Sequence, residues 1–380
     1  MQKPFYQDIK LGIIGGGQLG RMLIQSSVDF NIHPYVLDAD ESSPCRYSAF
    51  QFVHGDPTNY EDVIKFGKDL DIITIEIENV NTDALIKLQK MGKEVYPQPE
   101  VIKLIQDKRT QKNFYKKHGI PTSEFILTDN KADVEKNIDF LPAVQKLGKA
   151  GYDGRGVQKL LSASDLSKAF DAPSLLEKFV DFEKEISVIT ARNSQGEIAV
   201  YPVVELVFHP EYNLVEYLFA PAKISKEIEE KAFAIARKVV EKLEIVGLLA
   251  VEMFLTKTGE ILVNEVAPRP HNSGHHTIKA NYTSQFEQHL RAILGLPLGN
   301  TGTLKQAAMV NILGEEGHSG IAIYKGIEEV LKIEGAYPHL YGKKFTKPKR
   351  KMGHITIIED DFEKLIQKVN KVKETIKVVA

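Results

Sequence analysis

Short apolar runs alternate with helical patterns over the first hundred residues. The runs at 10–14, 33–37 and 71–77 predict buried strands, and a helix is expected from the end of segment 15–20 through Ser27. Strands that alternate with helices form parallel α/β sheets. We therefore expect a parallel sheet domain over residues 1–107.

Helical and hairpin patterns follow in the rest of the chain. Residues 108–118 are predicted to form a helix. Residues 226–243 are also predicted to be helical, because their apolar positions recur at helical spacing. The apolar segments 247–255 and 260–266 flank a short polar turn and predict a β-hairpin. A last amphipathic helix is expected from Phe362 to Val372.

Composition narrows the class of protein. The 380 residues suggest two or three domains, and 43% apolar with 26% charged residues is ordinary for a globular chain. The net charge of −2 gives no broad attraction to nucleic acid or anionic membranes. Cys45, the single cysteine, excludes an internal disulfide, and neither a signal peptide nor a membrane span is expected. We expect a cytoplasmic protein.

The first glycine motif joins the first strand to the first helix. Gly15, Gly17 and Gly20 have the spacing G-x-G-x-x-G, and Asp38 follows 18 residues after the last of them. Glycines let backbone approach a ligand, and a helix N-terminus favours an anion. A dinucleotide site, another phosphate or small-ligand site and a structural tight turn all stay open.

A second glycine-rich segment covers residues 151–156. Its glycines could place backbone N–H groups on phosphates, and Arg155 would add positive charge. The segment is no P-loop, because it lacks the Gly-Lys-Ser/Thr ending. Lys146, just upstream, is either a solvated lysine or a phosphate contact.

Two glutamates lie inside the apolar strands of the predicted hairpin. Glu252 and Glu265 would be costly there unless paired or bound to metal, and a hairpin would bring them together. A magnesium ion shared with substrate phosphates would relieve their repulsion. Salt bridges are the alternative.

Histidines and basic residues offer two further candidate sites. His271, His275 and His276 could suggest zinc, but the upstream Asn-Glu pair favours oxygen ligands. The basic clusters 341–343 and 349–351 are either a solvated face or a phosphate clamp.

The ordered set of motifs resembles the carboxyaminoimidazole ribonucleotide synthetases of the ATP-grasp superfamily. The matching segments are 15–22, 76–80, 151–156, 264–275, 341–343 and 350–354. The resemblance implies an α/β and α+β fold: a Rossmann-like (pre-ATP-grasp) domain over 1–107, an ATP-grasp domain over 108–300 with a mobile loop at 148–157, and a small C-terminal domain over 301–380. It also implies a homodimer.

The resemblance also implies a nucleotide site. Lys146 and the loop through Val157 would contact phosphates, Glu177 and the backbone at Val180 adenine, and Glu185 ribose. Glu252 and Glu265 would bind Mg²⁺. The full implied ATP set is Lys108, Lys146, Gly151, Tyr152, Asp153, Gly154, Arg155, Gly156, Val157, Glu177, Lys178, Phe179, Val180, Glu185, His209, Asn264 and Glu265. Two positions depart from the family: Lys108-Arg109 replaces a single arginine, so either could contact ATP, and Val157 replaces glutamine.

The implied ribonucleotide site combines several segments. Its residues would be Gln18, Glu76, Tyr152, Asp153, Arg269, Lys343 and Arg350, with Tyr152, Asp153 and Arg269 nearest the chemistry. The implied reaction transfers the γ-phosphate of ATP to bicarbonate, and carbon dioxide from carboxyphosphate then reaches the amine of aminoimidazole ribonucleotide.

Three other functions remain open from the sequence. Another ATP-grasp ligase could act on glycinamide ribonucleotide or biotin. A nicotinamide-dependent oxidoreductase would use the first glycine motif but leaves Glu252 and Glu265 unexplained. A non-catalytic nucleotide-binding regulator would not need both carboxylates.

Overall fold

The N-terminal region forms a parallel sheet with helices on both faces. The computed structural model describes residues 8–149, 156–210 and 214–380. The region's elements are β1 (Leu11–Ile14), α1 (Gln18–Val28), β2 (Tyr35–Asp38), β3 (Gln51–His54), α2 (Tyr60–Gly67), β4 (Ile72–Ile75), α3 (Thr82–Lys90), β5 (Glu94–Val95) and α4 (Pro99–Ile105). The strands lie in the order β3–β2–β1–β4–β5, and all their pairings are parallel.

Opposite faces of this sheet pack into two separate apolar cores. Leu11 and Ile13 belong to the core that includes Leu23 of α1, whereas Ile14 and Ile73 belong to the core on the other face. Burial on both faces explains why these strands have continuous apolar runs. Strand β3 was not predicted, because its two ends are exposed and its sequence has no such run.

The middle region contains a small antiparallel sheet and most of a large one. Its elements are α5 (Lys108–His118), β6 (Phe125–Thr128), α6 (Lys131–Lys136), β7 (Ala143–Leu147), β8 (Val157–Leu160), β9 (Ser174–Lys178), β10 (Phe182–Arg192), β11 (Ile198–Val200), β12 (Val204–Phe208), β13 (Val215–Ala220), α7 (Lys226–Leu243), β14 (Gly247–Thr256), β15 (Ile261–Ala267), α8 (Thr277–Ala280) and α9 (Gln285–Ile293). Short 3₁₀ helices cover Ile138–Phe140, Ala163–Lys168 and Asn272–Gly274. The bounds of α5 and α7 agree with the predicted helices.

The small sheet has the strand order β6–β9–β7–β8, and the large sheet begins β15–β14–β10–β12–β13, with β11 paired to β10. Helix α7 packs its buried face, including Ala232, Ala236 and Val239, against the core under β10 and β14. Its N-cap serine, Ser225, accepts the backbone N–H of Ile228, which satisfies one otherwise unpaired amide of the first turn.

The C-terminal residues continue the large sheet. Their elements are β16 (Ala307–Leu313), β17 (Gly320–Ile321), β18 (Ile323–Lys325), α10 (Ile327–Leu331), β19 (Ala336–Leu340), β20 (Phe345–Thr346), β21 (Lys351–Ile358), α11 (Phe362–Thr375) and β22 (Lys377–Val379). Strand β16 pairs antiparallel with β13, and β21 and β19 follow it. Within the described ranges, no helix combines the length and apolarity that a membrane crossing requires.

A buried histidine joins the N-terminal sheet to the middle region. His289 of α9 lies 2.8 Å through Nε2 from Thr74 Oγ1 on β4, and its Nδ1 accepts the backbone N–H of Leu248 at 3.2 Å. Burial lowers the pKa of His289 to about 3, so the ring is neutral near pH 7. With Nδ1 accepting, the Nε2 proton is directed at Thr74.

Candidate functional site

The two hairpin glutamates lie directly opposite each other. Glu252 on β14 and Glu265 on β15 are cross-strand partners, as predicted. Lys108 Nζ at the start of α5 donates to Glu265 Oε2 at 2.8 Å, and His271 Nε2 lies 3.2 Å from Glu252 Oε1. Each carboxylate therefore has its own polar partner.

The electrostatics of these carboxylates differ sharply. Burial, together with the charges of Glu265 and Glu185, raises the pKa of Glu252, whereas the Lys108 ammonium lowers that of Glu265. Burial lowers the pKa of His271 to about 3, so this ring brings no compensating positive charge to Glu252 near neutral pH. Additional positive charge at this position would favour the ionised form of Glu252.

Lys108 and its neighbour Arg109 form ion pairs with different acidic residues. While Lys108 reaches Glu265, Arg109 Nη2 pairs with Asp129 Oδ1 at 2.7 Å, and that aspartate is largely exposed. Of the two candidate ATP contacts, Lys108 is therefore the one that lies beside the carboxylate pair of Glu252 and Glu265.

Lys146 is a partly buried lysine whose contacts reach the strand of Glu265. Its Nζ donates to Asn264 Oδ1 at 2.8 Å and to Glu177 Oε2 at 3.2 Å, and its side chain is only 13% exposed. The alternative of a solvated surface lysine is therefore wrong. Because Asn264 precedes Glu265 on β15, Lys146 links the small sheet to the strand that carries the acidic pair.

Glu177 lies between two lysines. Its carboxylate contacts Lys146 and also Lys112 Nζ of α5, at 3.3 Å, and Ser123 Oγ donates to it at 3.0 Å. Although burial opposes ionisation, Lys146 and Lys112 hold the pKa of Glu177 below its usual value. The predicted adenine contact of Glu177 stays a prediction, and the structure shows that its side chain also anchors Lys146.

The residues after Glu177 form the end of β9 and the turn beyond it. Lys178 Nζ donates to the carbonyl of Phe140 at 2.9 Å, and the Phe179 side chain is exposed. Val180 follows at the turn before β10. These residues therefore lie next to Glu177 at one end of the small sheet, and their nucleotide contacts stay predictions.

The glycine-rich loop connects β7 to β8. Lys146 pairs in register with Val157, and Gly156, at φ +70°, accepts the backbone N–H of Leu147 through its carbonyl. A left-handed φ is unfavourable for residues other than glycine. Five predicted site residues fall outside the described part of the chain: Gly151, Tyr152, Asp153, Gly154 and Arg155.

Glu185 lies on β10, and His209 directly follows β12, the neighbour of β10 in the large sheet. Glu185 on β10 is in register with Phe254 of β14, and burial raises its pKa to about 7. His209 follows β12, and its backbone N–H donates to Leu214 O at 3.0 Å. The charge of Glu185 also contributes to the raised pKa of Glu252. The predicted nucleotide contacts of Glu185 and His209 stay predictions.

In the first glycine motif, a side chain of the protein itself accepts the backbone N–H groups that could otherwise bind an anion. Glu76, directly after β4, accepts backbone N–H groups of Gly17 at 2.9 Å, Leu19 at 3.2 Å and Gly20 at 3.1 Å. This carboxylate occupies the position that an anion takes at a helix N-terminus. Asp38 similarly accepts the N–H groups of Gly16 and Asp40. The geometry favours a structural turn over a dinucleotide or another phosphate at these amides.

Arg269 connects the end of β15 to the N-terminal domain. Its Nη2 pairs with Glu78 Oε1 at 2.8 Å, and both side chains are partly exposed. Glu78 was not among the predicted site residues, although it lies in the matched segment 76–80. Gln18, at the start of α1, is also partly exposed on the N-terminal domain.

The basic C-terminal residues pack near α1. Lys343 Nζ donates to Lys351 O at 2.8 Å, and Arg350 Nη1 donates to Phe345 O at 2.7 Å. A Cβ at Gly342 would lie 2.5 Å from Arg21 Nη1, so the guanidinium of Arg21 lies against this segment. Sequence reasoning missed Arg21, although it follows Gln18 by about one helical turn.

The histidines of segment 264–276 do not form a metal site. His271 Nδ1 lies 2.9 Å from Ser273 Oγ, and His275 Nδ1 lies 3.2 Å from Gln285 Nε2. Among the described residues, no group of three or more His, Cys, Asp or Glu side chains is arranged so that it could hold a metal ion. The zinc alternative therefore has no structural support.

Family models match consecutive parts of the chain. The ribonucleotide synthetase preATP-grasp domain matches residues 9–106, the ATP-grasp domain residues 113–286, and the phosphoribosylaminoimidazole carboxylase C-terminal domain residues 307–368. The N5-carboxyaminoimidazole ribonucleotide synthase of Bacillus subtilis is 38% identical, and the alignment covers 96% of this chain and 95% of that protein.

Longer relatives and solved structures agree with these matches. The chloroplastic phosphoribosylaminoimidazole carboxylase of Vigna aconitifolia is 41% identical over 92% of this chain, which spans 64% of that protein's length. The N5-carboxyaminoimidazole ribonucleotide synthetase of Thermotoga maritima superposes with a TM-score of 0.90 at 44% identity, covering 98% of this chain and 99% of that one. An Aspergillus clavatus synthase in complex with ADP and 5-aminoimidazole ribonucleotide gives a TM-score of 0.86 at 34% identity, covering 96% and 99%.

Proposed function

Because the chain belongs to the carboxyaminoimidazole ribonucleotide synthetase family of ATP-grasp enzymes, we propose that it carboxylates 5-aminoimidazole ribonucleotide. The substrates are ATP and bicarbonate, and the products are N5-carboxyaminoimidazole ribonucleotide, ADP and phosphate. This reaction belongs to purine biosynthesis. Relatives with these names and the ligands of the Aspergillus clavatus structure support the assignment.

The acidic pair between two sheets is the observation that carries the proposal. Glu252 and Glu265 lie opposite each other, with Lys108 and Lys146 contacting the same strand. Carboxylates suit a divalent cation, and lysines suit the phosphates that the cation also binds. This arrangement fits a nucleoside triphosphate better than it fits a nicotinamide cofactor.

The donor set fits magnesium. Two adjacent carboxylates with a neighbouring amide oxygen on Asn264 are oxygen ligands, and Mg²⁺ commonly combines one or two carboxylates with substrate phosphates. When bound, the ion would neutralise charge on the transferring phosphoryl group. Lys146 would stabilise the same charge from the side of the small sheet.

Transfer of the γ-phosphate to bicarbonate would give carboxyphosphate, which releases carbon dioxide inside the site. The exocyclic amine of the ribonucleotide then attacks that carbon dioxide. We propose that the loop between β7 and β8 excludes water from the carboxyphosphate intermediate. Lys146 lies on β7 just before the loop, and residues 150–155 lie outside the described part of the chain. The residues proposed to surround the ribonucleotide are Gln18, Glu76, Tyr152, Asp153, Arg269, Lys343 and Arg350.

One assay tests the function and its closest rivals. ADP release is measured in bicarbonate buffer with Mg²⁺, with and without 5-aminoimidazole ribonucleotide. We expect the ribonucleotide to stimulate release strongly, whereas glycinamide ribonucleotide with formate, or biotin, leaves it unchanged. Stimulation by one of the other acceptors alone would reassign the substrate.

Assembly and domain organisation are proposed on the same basis. We expect a homodimer, which light scattering of the purified chain would test. Domain limits at 107 and 300 remain predictions, and limited proteolysis followed by mass spectrometry would locate the boundaries.

A further inference from the structure

Lys112 is a buried lysine beside the nucleotide site. It lies on α5, one helical turn after Lys108, and its side chain is only 2% exposed. Burial lowers its pKa to about 8. Lysines are rarely buried without a partner, because removing an ammonium from water is costly. The hydrogen-bond and ion-pair partners of Lys112 therefore indicate the role of this buried side chain.

The two oxygens of the Glu177 carboxylate contact different lysines. Lys112 Nζ lies 3.3 Å from Oε1, and Lys146 Nζ lies 3.2 Å from Oε2. Ser123 Oγ accepts from Lys112 at 3.3 Å and donates to Glu177 at 3.0 Å. Each carboxylate oxygen thus has its own cation, and a hydroxyl connects the two sides.

Lys112 is itself fixed to the strand of the acidic pair. Its Nζ donates to Thr122 Oγ1, which donates in turn to the carbonyl of Val263 at 2.6 Å. Val263 precedes Glu265 by two residues on β15, and Lys146 reaches Asn264 on that strand. Lys112 and Lys146 therefore approach β15 from the two sides of Glu177.

We propose that Lys112 is a positioning residue for ATP, which fixes the Glu177 carboxylate and through it the ammonium of Lys146. At 2% exposure Lys112 has no surface with which to contact the nucleotide itself. Without Lys112, the buried Glu177 would keep its direct ion pair with Lys146 but lose the one on its other oxygen. The carboxylate would then hold that ammonium more tightly and withdraw it from the phosphates.

The test is a direct measurement of ADP binding by calorimetry with Mg²⁺ present. Lys112→Met removes the charge with little change in length. We expect the Kd for ADP, and the KM for ATP, to rise roughly 10-fold, while the KM for the ribonucleotide stays unchanged. Lys116→Met, an exposed lysine one turn further along α5, is the matched control and should bind ADP like the wild type.

A double variant separates positioning from general packing. Glu177→Gln removes the charge that Lys112 holds, so adding Lys112→Met to it should weaken ADP binding little further. If the double variant weakens ADP binding by the product of the two single effects, Lys112 and Glu177 act independently, and the proposal is overturned. Wild-type affinity in folded Lys112→Met would overturn it as well.

If Lys112→Met does not fold, ADP binding is measured with Ser123→Ala instead. It removes only the hydroxyl between Lys112 and Glu177, and we expect about a 3-fold weaker ADP affinity; unchanged affinity counts against the proposal. The inference rests on the proposed function, which supplies ATP as the ligand. If the wild type bound no ADP, the proposed function would fail, whereas equal binding by wild type and variants removes only the role of Lys112.

Discussion

Glu76 accepts the backbone N–H of Gly17 at 2.9 Å, so the carboxylate of one residue fills the anion position of the first glycine motif. A Cβ added at Gly17 would lie 2.7 Å from Glu76 Oε1. The motif thus resembles a dinucleotide loop in spacing but has no room at these amides for a pyrophosphate. The motif therefore fixes the start of α1, next to the proposed ribonucleotide site.

Gly17→Val should therefore displace Glu76 and disturb that side of the site. We expect the KM for the ribonucleotide to rise far more than the KM for ATP, because the proposed ATP contacts lie in the middle region of the chain. Steady-state kinetics with each substrate varied in turn provides the measurement. Saturable NADH binding by the wild type in a fluorescence titration would contradict the structural reading of the motif.

Glu265→Gln should abolish turnover and leave the fold intact. As a proposed ligand of Mg²⁺, Glu265 would contribute several kcal/mol of transition-state stabilisation, on the order of 10³-fold or more in rate. Glu260→Gln is the matched control, because this glutamate is exposed just before β15. ADP production is the readout, with circular dichroism to verify folding. Wild-type rates in Glu265→Gln would exclude the magnesium assignment.

Lys343→Ala and Arg350→Ala should each weaken ribonucleotide use by roughly 10-fold or more, at about 1.4 kcal/mol per decade. The ribonucleotide carries its own phosphate, and a lysine with a guanidinium suits a dianion. ATP binding should hardly change. Lys347→Ala, an exposed lysine of the same segment, is the control. If the KM for ATP moves instead, the phosphate clamp is wrongly placed.

His289 should make part of the stability depend on pH. Its folded pKa is lowered to about 3, against about 6.5 in an unfolded chain, so its contribution is complete above pH 6.5. Below that pH the unfolded chain binds the proton and the folded one does not, so the contribution declines as pH falls towards 3. Its slope approaches about 1.4 kcal/mol per pH unit.

Urea unfolding at several pH values measures this contribution. We expect the difference in unfolding free energy between wild type and His289→Leu to be largest at pH 8 and smaller at pH 5. His33→Leu removes an exposed imidazole and should show no such trend. A difference that grows as the pH falls would contradict the neutral, buried state of His289.

The sequence predicted those parts of the fold whose signals are local. Helical periodicity located α7, and the two apolar segments around a polar turn located the hairpin that brings Glu252 opposite Glu265. Strand β3 gave no comparable signal, because its stability comes from pairing with β2 at the edge of the sheet. Local pattern cannot reveal pairing between distant segments.

The site was predictable only where a residue type is unusual in its local setting. Carboxylates inside apolar strands drew attention to Glu252 and Glu265. Lys112 did not stand out, because it lies in a helix rich in lysine and arginine and looks solvated. Its burial depends on Glu177, Thr122 and Ser123, which reach it through tertiary packing.

The pairing of β13 with β16 has a consequence for how this chain can be divided. Four residues of β13, from Tyr217 to Ala220, are in register with β16. A fragment ending near residue 300 would expose the backbone of β13 along an open edge, which invites intermolecular strand addition. The C-terminal eighty residues therefore cover the edge of β13 in the large sheet, and a truncated chain should aggregate rather than remain folded as a smaller protein.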